Sequence, residues 1–142
     1  VRRLIEEGVL KGEDIFQIGI RGPLTSKDQM DWDKRQGIRH LTIEEFNEFG
    51  MSRLIQQMNR KIPYYLSFDI DGVDPAFAPG TGTPVVGGLT SFEALQSVRK
   101  LRGFKFIGFD LVEVAPAYDH AEITSLLAAA LMFEFLSLAA TK

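Results

Sequence analysis

Tyr64-Tyr65-Leu66-Ser67-Phe68-Asp69-Ile70-Asp71-Gly72-Val73-Asp74-Pro75 passes from an aromatic, apolar stretch into a cluster of carboxylates. The first half has the composition of a strand inside a parallel sheet, where both faces are covered and the apolar run is nearly continuous. Strand alternation through Asp69-Ile70-Asp71 predicts two carboxylates pointing the same way at the C-terminal edge, where open α/β sheets bind their ligands. Two such acids repel one another and lose solvation when partly buried, and a shared divalent cation relieves both effects. Between Ser67 and Val98 there is no Lys or Arg to serve instead. Asp69 and Asp71 are therefore candidate metal ligands, and an all-oxygen donor set favours a hard ion such as Mn²⁺ or Mg²⁺. Helix capping or a tight turn would explain one of the two acids but not both. Asp74, which precedes Pro75, is expected to shape the following loop by accepting backbone N–H groups.

Outward from this run, strand and helix patterns alternate with no repeat, linker or low-complexity tract. Residues 2–7 resemble the end of a helix stopped by Gly8, and residues 14–20 alternate as a strand. A loop and short helix over 26–36 end at Gly37, and a short strand follows over 37–41. Thr42-Ile43-Glu44-Glu45 has the cap-then-acid order that opens a helix, predicted to run to Arg60, with Pro63 separating it from the strand over 64–70. Thr90 or Ser91 caps a helix through Arg102, residues 104–112 form a fourth strand, and Glu122 begins the last helix. Such alternation predicts parallel strands joined by right-handed crossovers, in a three-layer α/β/α sandwich formed as a single domain over residues 1–142.

Other uses of Asp-x-Asp-Gly are weighed by spacing. An EF-hand loop counted from Asp69 would need Gly where Asp74 stands and Glu where Gly80 stands, so that reading fails. The haloacid-dehalogenase phosphatases, with an Asp nucleophile and Mg²⁺, are the rival; they carry the motif near the start of the domain, whereas here it lies mid-chain and no Lys or Arg occurs between Phe106 and Thr141. The Gly-rich loop from Pro79 to Gly88 lacks the Lys and spacing of a nucleotide loop. Glu113 ends an apolar strand and faces the turn at Pro116, where a lone acid more often caps a turn or joins a salt bridge. Asp110, His40 and His120 read as structural, half-buried and loop residues respectively.

With its continuation Ala76-Phe77-Ala78-Pro79-Gly80-Thr81-Gly82-Thr83-Pro84-Val85-Val86-Gly87-Gly88-Leu89-Thr90, the opening run resembles the signature of the ureohydrolases, the arginase and agmatinase family of dimanganese amidinohydrolases. Gly108-Phe109-Asp110-Leu111-Val112-Glu113-Val114-Ala115-Pro116 resembles the family's later strand, whose Glu-Val-x-Pro turn grips the guanidinium, and Gln17-Ile18-Gly19-Ile20-Arg21-Gly22 is a third match. The resemblance implies that Asp69 bridges two Mn²⁺ ions, that Asp71 completes one of them, and that Glu113 and Thr81 bind substrate, with Gly82 and Thr83 beside Thr81 in the pocket. It also implies a water of lowered pKa attacking a guanidino compound to give urea and an amine. Where arginases resemble Arg-Asp-x-Asp, this chain reads Arg21-Gly22-Pro23-Leu24, and Leu24 cannot bind an α-ammonium group. That departure points to agmatine or a 4-guanidino acid, with Trp32 as an apolar wall or a surface anchor.

The resemblance runs nearly end to end, yet only to the C-terminal portion of a family member. The family's upstream His ligands and His-Asp-x-His-x-Asp-type cluster have no counterpart in these residues. The expectation is a chain that carries part of a site and no catalytic residue of its own, or else an inactive fragment or structural half. The absence of Cys excludes thiolate chemistry, and a net charge of −3 without a basic run speaks against nucleic acid. No signal peptide is recognisable, and residues 123–140 contain Glu134 and reach spanning length at most. The expectation is therefore a soluble, cytoplasmic homo-oligomer without a membrane partner, whose last helix is buried.

Overall fold

The computed structural model describes residues 1–23 and 26–140, so Leu24 lies outside the described residues. Along the chain come α1 (Arg2–Glu6), β1 (Phe16–Ile20), α2 (Lys27–Gln36), β2 (Arg39–Thr42), α3 (Ile43–Ile55), β3 (Pro63–Asp69), α4 (Ser91–Arg99), β4 (Lys105–Val112) and α5 (Ile123–Ala140). The expected α/β alternation is present, and among the described residues β1 with β2 and β3 with β4 pair in parallel. Two compact units are formed, Val1–Met58 and one beginning at Asn59.

In the first unit β1 and β2 pair through Phe16↔Arg39, Gln17↔His40 and Ile18↔Leu41. The Ser26 hydroxyl caps α2 by accepting from Gln29 N–H. Thr42 and Glu45 form the reciprocal capping box anticipated from their order, which satisfies two otherwise free N–H groups at the start of α3. That helix stops at Ile55 rather than Arg60. It is also interrupted at Gly50 (φ 61°, ψ −170°), a backbone state only glycine adopts cheaply. Ile43, Phe46, Met51 and Leu54 are its buried residues.

In the second unit β3 and β4 pair in a register that runs from Pro63↔Lys105 to Asp69↔Val112. The crossover between them carries α4, which is opened by a second capping box, Thr90 with Glu93, and ends at Arg99, short of the expected Arg102. The core consists of Ile70, Val73, Ala78, Ala94, Val98, Leu127, Leu131 and Phe135, with Leu66, Phe68, Phe109 and Leu111 packed against it from the sheet. Phe135 has its ring 5.3 Å from Phe109 and 6.3 Å from Phe68, centroid to centroid.

A strand covered on both faces was expected at β3; the structure covers one. Tyr64, Leu66 and Phe68 are partly buried, while Pro63, Tyr65, Ser67 and Asp69 between them are exposed. The reason is that the α4 and α5 side chains of the core meet only the Leu66 and Phe68 face. Helix α5 is likewise half-covered. Thr124, Leu127, Ala128, Leu131 and Phe135 form its buried stripe, and Leu126, Phe133 and Leu136 are exposed. By length and composition alone this helix could cross a membrane, although its stripe packs on the sheet as a core helix does.

Candidate metal and substrate site

The Asp69 to Asp71 segment departs from the strand alternation. Asp69 is the last residue of β3, and Ile70–Gly72 is a 3₁₀ turn, so Asp71 stands on a turn. What brings the two acids together is a local fold-back: Asp71 N–H donates to Asp69 Oδ1 at 3.2 Å, and the fully buried Ile70 anchors the turn in the core. Burial pushes the Asp69 carboxyl up; the Asp71 N–H bond opposes this, and the charge of Asp71, a side-chain hydrogen bond with it and the charge of Glu113 push further up. An acid crowded in this way is one whose ionised form a divalent cation would favour. Among the described residues no group of three or more His, Cys, Asp or Glu is placed to hold a metal ion. The pair therefore fits a metal as part of a donor set rather than as a whole one.

Asp74 behaves as its place before Pro75 suggested. Its Oδ1 accepts from Ala76 N–H at 2.9 Å, and its Oδ2 from Gly87 N–H at 2.6 Å and Gly88 N–H at 3.2 Å. This closes the long loop after the turn back onto its own start, and Asp74 N–H donating to Leu89 O at 2.8 Å completes the closure. Within that loop the Thr83 hydroxyl donates to Asp71 Oδ2 at 2.7 Å. No spacing rule links residues 71 and 83. The resemblance grouped Thr83 with pocket-lining residues, and its hold on a candidate ligand emerges only from the folded loop.

Glu113 follows Val112 directly, so the register that pairs Val112 with Asp69 sets Glu113 beside the carboxylate pair. Its φ is +67°, and the other positive-φ non-glycine residues among those described, Ala121 and Glu122, fall in the same segment between β4 and α5. Such strain persists where surrounding contacts over-determine it, and it concentrates at functional sites. Thr81 is buried, and its hydroxyl donates to the Glu113 carbonyl oxygen at 3.0 Å. Asp110 accepts from the Tyr65 hydroxyl at 2.9 Å, the structural use expected of it. His40 is half-buried, with Nε2 3.4 Å from Asp33 Oδ2, and His120 is exposed in the loop after Glu113. A cavity of about 430 Å³ in the first unit is lined by Trp32, Arg2 and Asp33 among others, and by none of Asp69, Asp71, Thr81 or Glu113.

The model of the arginase family matches residues 1–137. The chain belongs to the arginase family. It is 48% identical to the guanidinopropionase of Pseudomonas aeruginosa over 142 residues, covering 98% of this chain and 45% of that protein. It is 46% identical to the agmatinase of Citrobacter koseri over 140 residues, 96% of this chain and 43% of that one. The solved structure of proclavaminate amidino hydrolase from Streptomyces clavuligerus matches with a TM-score of 0.87 and 44% identity, over 97% of this chain and 46% of that one. Membership of the arginase family carries the arginase-type α/β fold with it and removes the dehalogenase reading of Asp69-Ile70-Asp71-Gly72. The chain spans less than half the length of these relatives.

Proposed function

We propose that this chain contributes part of the active site of a manganese-dependent hydrolase that cleaves a guanidino compound, agmatine or a 4-guanidino acid, to urea and an amine. The observation that carries the reading is the meeting, at the C-terminal ends of β3 and β4, of the crowded Asp69–Asp71 pair with the strained Glu113. Asp69 and Asp71 would hold metal through carboxylate oxygens, with Thr83 fixing one oxygen of Asp71. Bound manganese supplies Lewis acidity and a water of lowered pKa. Glu113 binds the planar guanidinium by paired charge-assisted hydrogen bonds and orients its carbon for attack. Leu24, in place of an acid, supports a substrate without an α-ammonium group, and the names of the relatives, guanidinopropionase and agmatinase, agree with that choice.

A second reading, a chain inactive by itself, is favoured by the lack of a third ligand among the described residues. Both readings are served by one account, in which the remaining ligands come from outside these residues. The protein is further read as a soluble, cytoplasmic homo-oligomer that binds neither nucleic acid nor membrane, in keeping with its mild negative charge. The test is urea release in the presence of Mn²⁺ by the chain extended to the length of its relatives. Agmatine or 4-guanidinobutyrate should give a higher kcat/KM than arginine. A preference for arginine would remove Leu24 as the guide to specificity, and no urea from any of the three would overturn the proposed activity.

A further inference from the structure

Thr81 is only 3% exposed, and its hydroxyl is spent on a backbone oxygen, that of Glu113 at 3.0 Å. The receiving residue sits at φ +67°, a conformation unfavourable for any residue with a Cβ. Something must hold it there. The same short piece of loop is joined to the residues after Glu113 by an antiparallel bridge of Thr81 with Val114, in which Ala115 N–H donates to Gly80 O at 2.8 Å. The piece is itself pinned, because Gly80 N–H donates to the hydroxyl of the fully buried Thr124 at 2.8 Å. A Cβ on Gly80 would lie 2.6 Å from the Asp119 Cβ, so the approach admits no side chain there. Glu113 is thus clamped from the loop that also carries Thr83, the partner of Asp71.

We infer that Thr81 is a positioning residue for Glu113: its buried hydroxyl fixes the left-handed backbone turn that orients the Glu113 carboxylate toward a guanidinium, and it does not meet the substrate itself. The inference rests on the reading of Glu113 as the guanidinium-binding group. Thr81→Val keeps the shape and removes the donor, Thr81→Ser keeps the donor, and Glu113→Gln serves as the reference.

In the full-length manganese-loaded protein, Thr81→Val should raise KM for the guanidino substrate by about tenfold, the scale of one lost hydrogen bond, with metal content unchanged. Thr81→Ser should return KM to near the wild-type value. A readout independent of activity is the ¹³Cα and ¹³Cβ shifts of labelled Glu113 in the metal-free protein, where no paramagnetic Mn²⁺ broadens them; they should leave their left-handed values in Thr81→Val and keep them in Thr81→Ser. If Glu113→Gln raises KM while Thr81→Val changes neither KM nor the shifts, the positioning role is overturned. Should Glu113→Gln leave KM unchanged, the guanidinium reading fails, and the shifts alone then decide whether Thr81 holds the turn.

Discussion

Asp69 and Glu113 are both strand-end acids, yet their surroundings give them different work. Asp69 is drawn into a fold-back with Asp71, whereas Glu113 is turned away from regular strand geometry by its positive φ. In the full-length protein Asp69→Ala should therefore lower manganese content more than Glu113→Ala; equal metal contents in the two variants would contradict these roles. The strain at Glu113 has a separate consequence. Glu113→Gly should stabilise the fold by up to about 1 kcal/mol relative to Glu113→Ala, because glycine adopts left-handed backbone without the Cβ penalty. Chemical denaturation of the two variants measures the difference, and equal midpoints would show that the turn is not strained. The acids themselves were legible, since the absence of basic partners and the strand-end position need only local sequence. The turn that moves Asp71 off the strand, the Thr83 contact across 12 residues and the Thr81 contact across 32 were not, because they depend on how a long loop closes.

Helix α5 shows what an element adds to its residues. At its start Asp119, outside the helix, accepts from Thr124 N–H and Ser125 N–H at 2.9 Å each and from the Ser125 hydroxyl at 2.8 Å. Desolvation pushes the Asp119 carboxyl up, but these donors outweigh it and hold it well below the usual carboxylate range. A depressed folded value means that the stabilisation is complete above the unfolded value, near pH 4, and is lost as pH falls through the lower folded one. The stability difference between wild type and Asp119→Asn should accordingly stay constant from pH 7 to about pH 4 and shrink below that; a difference that shrinks near neutral pH would contradict the assignment. Packing along the same helix is equally uneven. Phe135→Ala should cost about 3–5 kcal/mol, as expected for an aromatic ring deleted from a core, and Phe133→Ala, at 67% exposure, should stay within about 0.5 kcal/mol. The capping box at Thr42 was legible from its four-residue pattern, whereas at the start of α4 the sequence narrowed the cap only to Thr90 or Ser91. The break inside α3 at Gly50 was not legible, because the apolar spacing of the run continues past it.

Over the molecule as a whole, the type of fold was legible because alternation of strands and helices with parallel pairing is written into composition and periodicity. How far each face is covered was not legible. Parallel sheets ordinarily have both faces covered, yet Tyr65 on β3 and Ile107 on β4 are exposed, as are Leu126, Phe133 and Leu136 on α5. Burying each such side chain is worth roughly 1.5–3 kcal/mol, a large driving force for association. The 142-residue chain should therefore self-associate or bind a hydrophobic dye, and light scattering from a dye-negative monomer over a wide concentration range would refute this.

Calorimetric titration of the same chain with Mn²⁺, at a subunit mass fixed by light scattering, bears most directly on the claim that Asp69 and Asp71 are part of a metal site completed by other ligands. Weak binding without a tight two-ion stoichiometry, abolished by Asp69→Ala, is the predicted result. Two tight ions per monomeric chain, or binding that survives Asp69→Ala unchanged, would contradict it.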